Sequence, residues 1–298
     1  SIGRPGLGDD LILIHWMALL EASRLEDQGD MACAWGWYNA ALRASRHVER
    51  RGGYTYHSLG RVMHSTLGAR VIPWASDPRT DATLLRRALG DLIAAKRMTL
   101  PISETLKADY LQMIWAFDHP EQWFDSTHYS YDWVLQSPTL LQATLFLKRE
   151  PERSRRITRI IFNHWLAHCD QPPERRPLMS RSIRVGNETY SHFPYAVAPG
   201  PPDADHPISA EQLAEWMQSS VYAHRIMTPI PQVIGSLNRE RVSHAVLIVN
   251  VAEQLFERER GRFPESPDEL VGPYLDRLPE GYARSDDDEA EVPKGSSR

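Results

Sequence analysis

The sequence predicts an all-α protein of packed helical hairpins, interrupted by one long Pro-rich irregular excursion. Apolar residues recur every three or four positions, which is the spacing of a helix that buries one face. Gly29 and Asp30 separate the first two such segments, and these residue types favour the end of one helix and the start of the next. Two amphipathic helices joined by so short a turn must fold back on each other to bury their apolar faces.

The helices follow in order from this periodicity and from signals at their ends. Residues 11–25 and 31–48 form the first hairpin. A long C-terminal helix carries apolar residues from Val242 to Phe256 on one stripe and ends at Gly261, a suitable stop. The predicted helices span 9–27, 31–50, 54–75, 80–96, 103–117, 138–148, 152–169, 209–224, 230–260 and 267–275.

Hydroxyl side chains mark several of these starts. Ser137 precedes Pro138, which is a favourable cap followed by a favourable first-turn residue. A hydroxyl stands before carboxylates, as a helix N-terminus prefers, at three further starts: Ser103-Glu104, Ser209-Ala210-Glu211 and Ser266-Pro267-Asp268-Glu269.

The chain changes character between Asp170 and Pro207, where eight prolines disfavour long helices. Residues 182–185 and 188–193 flank Gly186-Asn187 and predict a small β-hairpin. We expect this stretch to be a surface loop on one domain, and the alternative is that it divides the chain into two helical domains. The predicted organisation is a helical hairpin region, a Pro-rich loop, C-terminal helices packed on the first region and an acidic flexible tail, at 1–170, 171–207, 208–284 and 285–298.

Composition limits the functions that the chain can have. Its net charge of −5 disfavours general nucleic-acid binding. No apolar run approaches the ~20 residues of a membrane-spanning helix. The chain begins with Ser1 rather than Met, so we expect any membrane association to depend on a segment missing from it. Phosphate-loop, dinucleotide-binding and nucleophile-elbow motifs are absent, so no cofactor is predicted.

The best metal-like spacing lies at His164 and His168, which share one face of a predicted helix and are followed by Cys169. The Glu of the HExxH zinc-hydrolase motif is absent, so a third ligand would come from elsewhere, such as His192 or His206. The alternative is that one histidine faces solvent and the other makes a hydrogen bond in the core.

Two further sets of residues have either a structural or a functional interpretation. His57 and His64, with Arg61 between them, predict a solvated helix face, and an anion-binding or catalytic patch is the alternative. Cys33 and Cys169 lie in apolar helical contexts, which predicts buried free thiols, and a disulfide between them is the alternative.

Aromatic and basic residues are the candidates for a protein-binding surface. Trp35 and Tyr38 also belong to the apolar face of the second helix, so a packing role is open for them as well. A cluster of positive charge around one helix start suits an acidic partner. The candidate partner-binding residues are Trp35, Trp37, Tyr38, Lys148, Arg149, Arg153, Arg155, Arg156 and Arg159.

Three passages carry a resemblance to known proteins, at 29–47, 163–167 and 252–279. Together they resemble a family of uncharacterised helical proteins from planctomycete bacteria. The first hairpin is similar to a tetratricopeptide pair, and Gly261-Arg262-Phe263-Pro264 is similar to the segment after the long helix of type II secretion pseudopilins. The resemblance implies an all-helical fold, tetratricopeptide-like in part, and association with the bacterial cell envelope rather than the cytoplasm. It implies no activity and no catalytic residues.

The sequence therefore predicts a protein-interaction or scaffold subunit of an assembly, since helical hairpins present broad faces to partners and no active-site motif is present. A protein partner is expected. The alternative is an enzyme with a helical cleft, metal-dependent through His164 and His168.

Overall fold

The structure is a computed structural model that describes residues 7–50, 52–118, 150–171, 180–185, 188–194, 230–280 and 282. Seven packed α-helices in this part of the chain confirm the all-α class. The predicted helices at 138–148 and 209–224 lie outside the described residues. The elements are α1 (Leu7–Asp27), α2 (Met31–Glu49), α3 (Tyr54–Ser76), α4 (Ala82–Lys96), α5 (Ile102–Asp118), α6 (Glu150–His168), β1 (Ser180–Val185), β2 (Glu188–Pro194), α7 (Ile230–Arg260) and a 3₁₀ helix (Pro267–Leu270).

The first hairpin is built as its two turn residues predict. Gly29 has a φ of 82°, in the left-handed region that ends helices. The N–H groups of Gly29 and Asp30 donate to the carbonyls of Glu26 and Leu25, both at 2.9 Å, which closes the last turn of α1. The Asp30 carboxylate accepts from the Cys33 N–H at 3.0 Å and so caps α2.

The chain forms two compact units from non-contiguous segments. The first unit comprises residues 1–47, 59–99 and 238–298, and the second comprises 48–58 and 100–237. The boundaries fall between helices or within them, and β1 and β2 belong to the second unit. The first unit therefore gathers α1, α4 and most of α2, α3 and α7.

Aromatic packing fixes the centre of the first unit. The indoles of Trp35 and Trp74 stack with ring centroids 4.9 Å apart. Each indole N–H has a partner, because Trp35 donates to the Asp91 carboxylate at 2.9 Å and Trp74 donates to the Met31 carbonyl at 3.2 Å. Buried residues of α1, α2, α3, α4 and α7 surround this pair in one apolar core.

The end of α7 docks on the turn between α3 and α4. The Arg258 guanidinium donates to the carbonyls of Ser76, Asp77 and Thr80 at 3.0–3.3 Å. Gly261 follows with a φ of 73°, which confirms it as the stop of the helix. The helix predicted at 267–275 is wrong in type and length, since a single 3₁₀ turn ends at Leu270.

In the second unit, two carboxylates each accept a hydrogen bond from an N–H group at the start of another helix. Asp170, just after α6, accepts from the Ser103 N–H at the start of α5 at 3.1 Å. Asp109 of α5 accepts from the Tyr54 N–H at the start of α3 at 2.9 Å. Tyr110 and Phe162 pack α5 against α6 with ring centroids 5.5 Å apart. β1 and β2 pair antiparallel in this unit, with Val185 opposite Glu188 on either side of Gly186-Asn187.

Candidate interaction surface

Helix α1 is apolar on two opposite faces, and only one of them is buried. Leu19 and Ala22 lie in the core of the first unit, together with the buried His15. The other face carries five large apolar side chains that are 42–66% exposed. These five residues, named here the α1 stripe, are Leu13, Ile14, Trp16, Met17 and Leu20.

The α1 stripe is contiguous. At 3.6 residues per turn its five members fall within an arc of about 160° over two turns of helix. Single exposed apolar side chains are ordinary on protein surfaces, whereas contiguous exposed apolar patches are typical of interaction sites. The stripe is therefore the candidate functional surface of the described residues.

Charged residues bound the α1 stripe at both ends. Asp9 and Asp10 are exposed in the first turn of α1, where negative charge complements the helix dipole. At the other end Arg24 donates to both carboxylate oxygens of Glu21, at 2.6 and 2.8 Å. The stripe thus runs from an acidic end to an end where Arg24, the single Arg or Lys of α1, lies among Glu21, Glu26 and Asp27.

Contacts on the buried side hold α1 in place. The Tyr38 hydroxyl of α2 donates to the Glu26 carboxylate, and burial raises the pKa of that carboxyl group. Arg79 donates to the Glu26 carbonyl at 2.8 Å. His15 and the Thr66 hydroxyl of α3 lie 2.9 Å apart. The stripe is consequently presented by a helix fixed at several points, as a preformed binding face requires.

Beneath α1, the first unit contains a buried polar network. Arg46 of α2 and Glu240 of α7 form an ion pair whose side chains are at most 1% exposed. His244 of α7 lies between the Leu92 carbonyl, 3.0 Å from Nε2, and His64 Nε2, 3.3 Å from Nδ1. A carbonyl only accepts, so His244 carries its proton on Nε2 and accepts from His64 through Nδ1.

The surroundings of these histidines favour their neutral forms. Burial, and then the charge of Arg46, lowers the pKa of His244 to about 3 and that of His64 well below its usual value. Burial also lowers the pKa of His15. Arg46, Glu240, His64 and His244, and the nearby His15, are each at most 3% exposed, so these polar groups are shielded from solvent, and their contacts join α2, α3 and α7.

The predicted aromatic surface residues separate into buried and exposed ones. Trp35 and Tyr38 belong to the core, where one stacks on Trp74 and the other donates to Glu26. Their burial corrects the expectation that they form a contact surface. Trp37 is exposed and can still take part in one.

The basic cluster is only partly within the described residues, because Lys148 and Arg149 lie outside them. Arg155 pairs with Asp118 of α5, so part of its charge is neutralised inside the second unit. Arg156 and Arg159 are exposed on α6, opposite its buried apolar residues. Arg153 is half-buried on the same helix. Partner binding by this segment stays a prediction.

The metal hypothesis also stays a prediction. His168 is half-buried near the end of α6, and its Nδ1 lies 3.5 Å from the Gln171 amide nitrogen. His164 lies on the same helix, and the side chains of His164 and His192 are outside what the structure describes, as is His206. Among the described residues, no three His, Cys, Asp or Glu side chains group as a metal site requires.

The expectation that His57 and His64 are solvated is wrong, and the expectation of buried free thiols is wrong only in the burial of Cys33. His57 and His64 are buried rather than solvated. His64 shares a face of α3 with Val71, which lies in the core of the first unit. Cys33 is exposed and Cys169 is buried, and both are free thiols. Cys33 is exposed because the packing face of α2 passes through Ala34 and Trp35 instead.

Sequence reasoning missed both the α1 stripe and the polar network. The signal for the stripe was the run from Leu11 to Leu20, in which His15 is the one polar residue, so apolar residues fall on every side of the helix. The signal for the network was a histidine within an apolar face, at His15 and again at His244. No spacing rule joins Arg46 to Glu240, which are 194 residues apart.

Comparison with known protein families, with curated proteins and with solved structures finds no match to this chain. The resemblance to planctomycete helical proteins and the expected envelope association therefore stay predictions. Within the described part of the chain, no helix is both long and apolar enough to cross a membrane.

Proposed function

We propose that this chain is a protein-interaction subunit that binds its partner through the α1 stripe. The observation that carries the proposal is the exposed apolar face of α1, opposite a face that is already buried in the core. A partner that covers five large side chains gains hydrophobic free energy on the order of 1 kcal/mol or more for each. Trp16 and Met17 at the centre are residue types that anchor protein interfaces.

Charge favours a protein over a lipid surface as the occupant. Helices that lie on membranes carry Lys and Arg beside their apolar face, which attract anionic headgroups. The charged residues of α1 are five acidic and one basic, namely Asp9, Asp10, Glu21, Glu26 and Asp27 against Arg24. The expected partner is therefore a protein segment with an apolar face of its own and a basic residue placed to meet Asp9.

Site-specific photo-crosslinking tests the proposal. A photoreactive amino acid replaces Met17 in the stripe or, as the control, Phe263, which is 52% exposed outside α1. In cells that produce the chain, we expect position 17 to form a protein adduct that position 263 does not form. The substitutions Leu13→Gln and Leu20→Gln should reduce that adduct at least about tenfold. Adducts to lipid alone, or equal adducts at both positions, would contradict the proposal.

A further inference from the structure

We propose that the occupant of the α1 stripe is the α1 stripe of a second copy of this chain, packed antiparallel across a two-fold axis between Trp16 and Met17. This inference rests on the proposed function and names its partner. A symmetric dimer needs a surface that is complementary to itself after a two-fold rotation. The order of residues along α1 meets this condition.

The apolar residues match first. When two copies of α1 run antiparallel about that axis, residues whose numbers sum to 33 lie at the same level, because each residue advances the helix by an equal rise. Leu13 then meets Leu20 of the second copy, and Trp16 meets Met17. These four residues of each copy form the central seam of the dimer. Within it each large apolar side chain faces another, and the flexible thioether of Met17 packs beside the indole of Trp16.

The charges match in the same register. Asp9 meets Arg24 of the second copy, and the symmetry repeats the pair at the other end of the seam. Arg24 is already oriented by its two hydrogen bonds to Glu21, which leaves its remaining N–H groups for a second carboxylate. Parallel packing would instead bring Asp9 against Asp9 and Arg24 against Arg24, so charge selects the antiparallel orientation.

The size of the contact sets its strength. Two turns of helix from each copy bury less surface than the roughly 1,600 Å² of a standard stable interface. We therefore expect a reversible dimer with a dissociation constant in the micromolar range. Within one copy the core face of α1 stays as it is, since none of the stripe residues contributes to the buried core.

Sedimentation velocity of the full chain, from low to several hundred micromolar, tests the dimer. The wild-type chain should change from monomer to dimer over this range. Asp9→Lys or Arg24→Glu should each weaken the dimer about tenfold or more, and the double variant should restore it. Asp10→Lys is the matched control, because it makes the same charge change in the same turn opposite Ser23, and it should weaken the dimer far less.

A thiol experiment reports the register. In a Met17→Cys variant, the two introduced thiols lie beside the axis and should form an intermolecular disulfide on oxidation. The native Cys33 is exposed outside α1 and is the internal control, which should stay reduced at the same protein concentration. A Cys33 crosslink equal to that of position 17 would overturn the proposed register.

A monomer at every concentration, or failure of the double charge variant to restore association, would overturn the second copy as partner. If position 17 then crosslinks to a different protein, the proposed function stands and only this inference fails. If position 17 forms no protein adduct at all, both fail.

Discussion

The buried ion pair between Arg46 and Glu240 shows how single residues tie the first unit together. It joins α2 to α7, and burial, followed by the charge of Arg46, lowers the pKa values of His64 and His244 nearby. Removing one partner of such a pair leaves a buried charge that neither a counter-ion nor water compensates. Removing both partners leaves no buried charge. The pair therefore makes the association of α2 with α7 specific rather than only apolar.

Arg46→Met and Glu240→Leu should each lower the free energy of unfolding by about 3–5 kcal/mol, because each strands the opposite charge in the core. The double variant should be less destabilised than the sum of the two. Urea unfolding at neutral pH measures all three. Arg86→Met, which breaks an exposed ion pair with Glu259, is the control and should change stability far less. Additive losses for Arg46 and Glu240 would show that the pair does not interact.

Gly53 illustrates a glycine that is required by close packing. A Cβ at this position would lie 1.8 Å from Asp109 Oδ1, the oxygen that accepts from the Tyr54 N–H. Gly53→Ala should displace the carboxylate and cost about 1–3 kcal/mol of stability, since the start of α3 loses its cap. With Asp109→Ala already present, the same change should cost clearly less. Equal costs in the two backgrounds, measured by thermal unfolding, would contradict the clash.

At the scale of the element, the first hairpin was predictable and the second face of α1 was not. Gly29-Asp30 acts locally, so two residues are enough to indicate how one helix ends and the next begins. Which side of α1 is buried depends on where α2 and α3 lie, and this information is not local. When a helix has apolar residues on all sides, its sequence pattern does not show whether the folded protein surrounds it or leaves one face exposed.

Gly29 and Gly36 should respond in opposite directions to the same substitution. Neither would bring a Cβ within 4 Å of another side chain, but Gly29 has a positive φ and Gly36 lies inside α2. Gly29→Ala should cost about 1–2 kcal/mol because an L side chain disfavours the left-handed region. Gly36→Ala should gain about 0.5–1 kcal/mol of helix propensity. Chemical denaturation decides between this result and two changes of equal sign.

At the scale of the molecule, the chain is assembled from segments far apart in sequence. The two compact units interleave along the chain, so no boundary could be read from composition. The all-α class followed from periodicity, and most helix bounds fell within a few residues of those expected. The buried network could not be predicted, because it depends on which helices meet. A histidine or arginine on a helix is expected to be exposed to solvent unless its neighbours are known.

The network also predicts how stability depends on pH. His15, His64 and His244 have pKa values below the unfolded value of about 6.5, so the unfolded chain binds more protons and stability is lost as the pH falls below that value. Each histidine changes the free energy of unfolding by up to about 1.4 kcal/mol per pH unit. Asp109 acts in the opposite sense. Burial raises its pKa to about 6, so the folded chain holds the proton on this carboxyl group more tightly than the unfolded chain does. The stability gained from that proton is lost as the pH rises toward about 6.

Urea unfolding between pH 5 and pH 7.5 measures this dependence. His244→Gln should reduce the slope of stability against pH by about one proton, since the amide can still donate to the Leu92 carbonyl and accept from His64. His47→Gln, the same substitution at an exposed histidine, is the matched control. An unchanged slope for His244→Gln would mean that this histidine already titrates normally in the folded chain.

Oxidative footprinting of the three methionines Met17, Met31 and Met63 tests most directly whether the α1 stripe is an interaction surface. Met17 is 61% exposed, while Met31 and Met63 are buried and serve as internal controls. In the dilute purified chain, Met17 should be oxidised much faster than the two controls. At high protein concentration or in cells that produce the chain, its rate should fall several-fold while theirs stay unchanged. A Met17 rate that is as slow as the controls at dilution, or that never falls, would contradict the claim that this face is open on the single chain and covered by a protein partner.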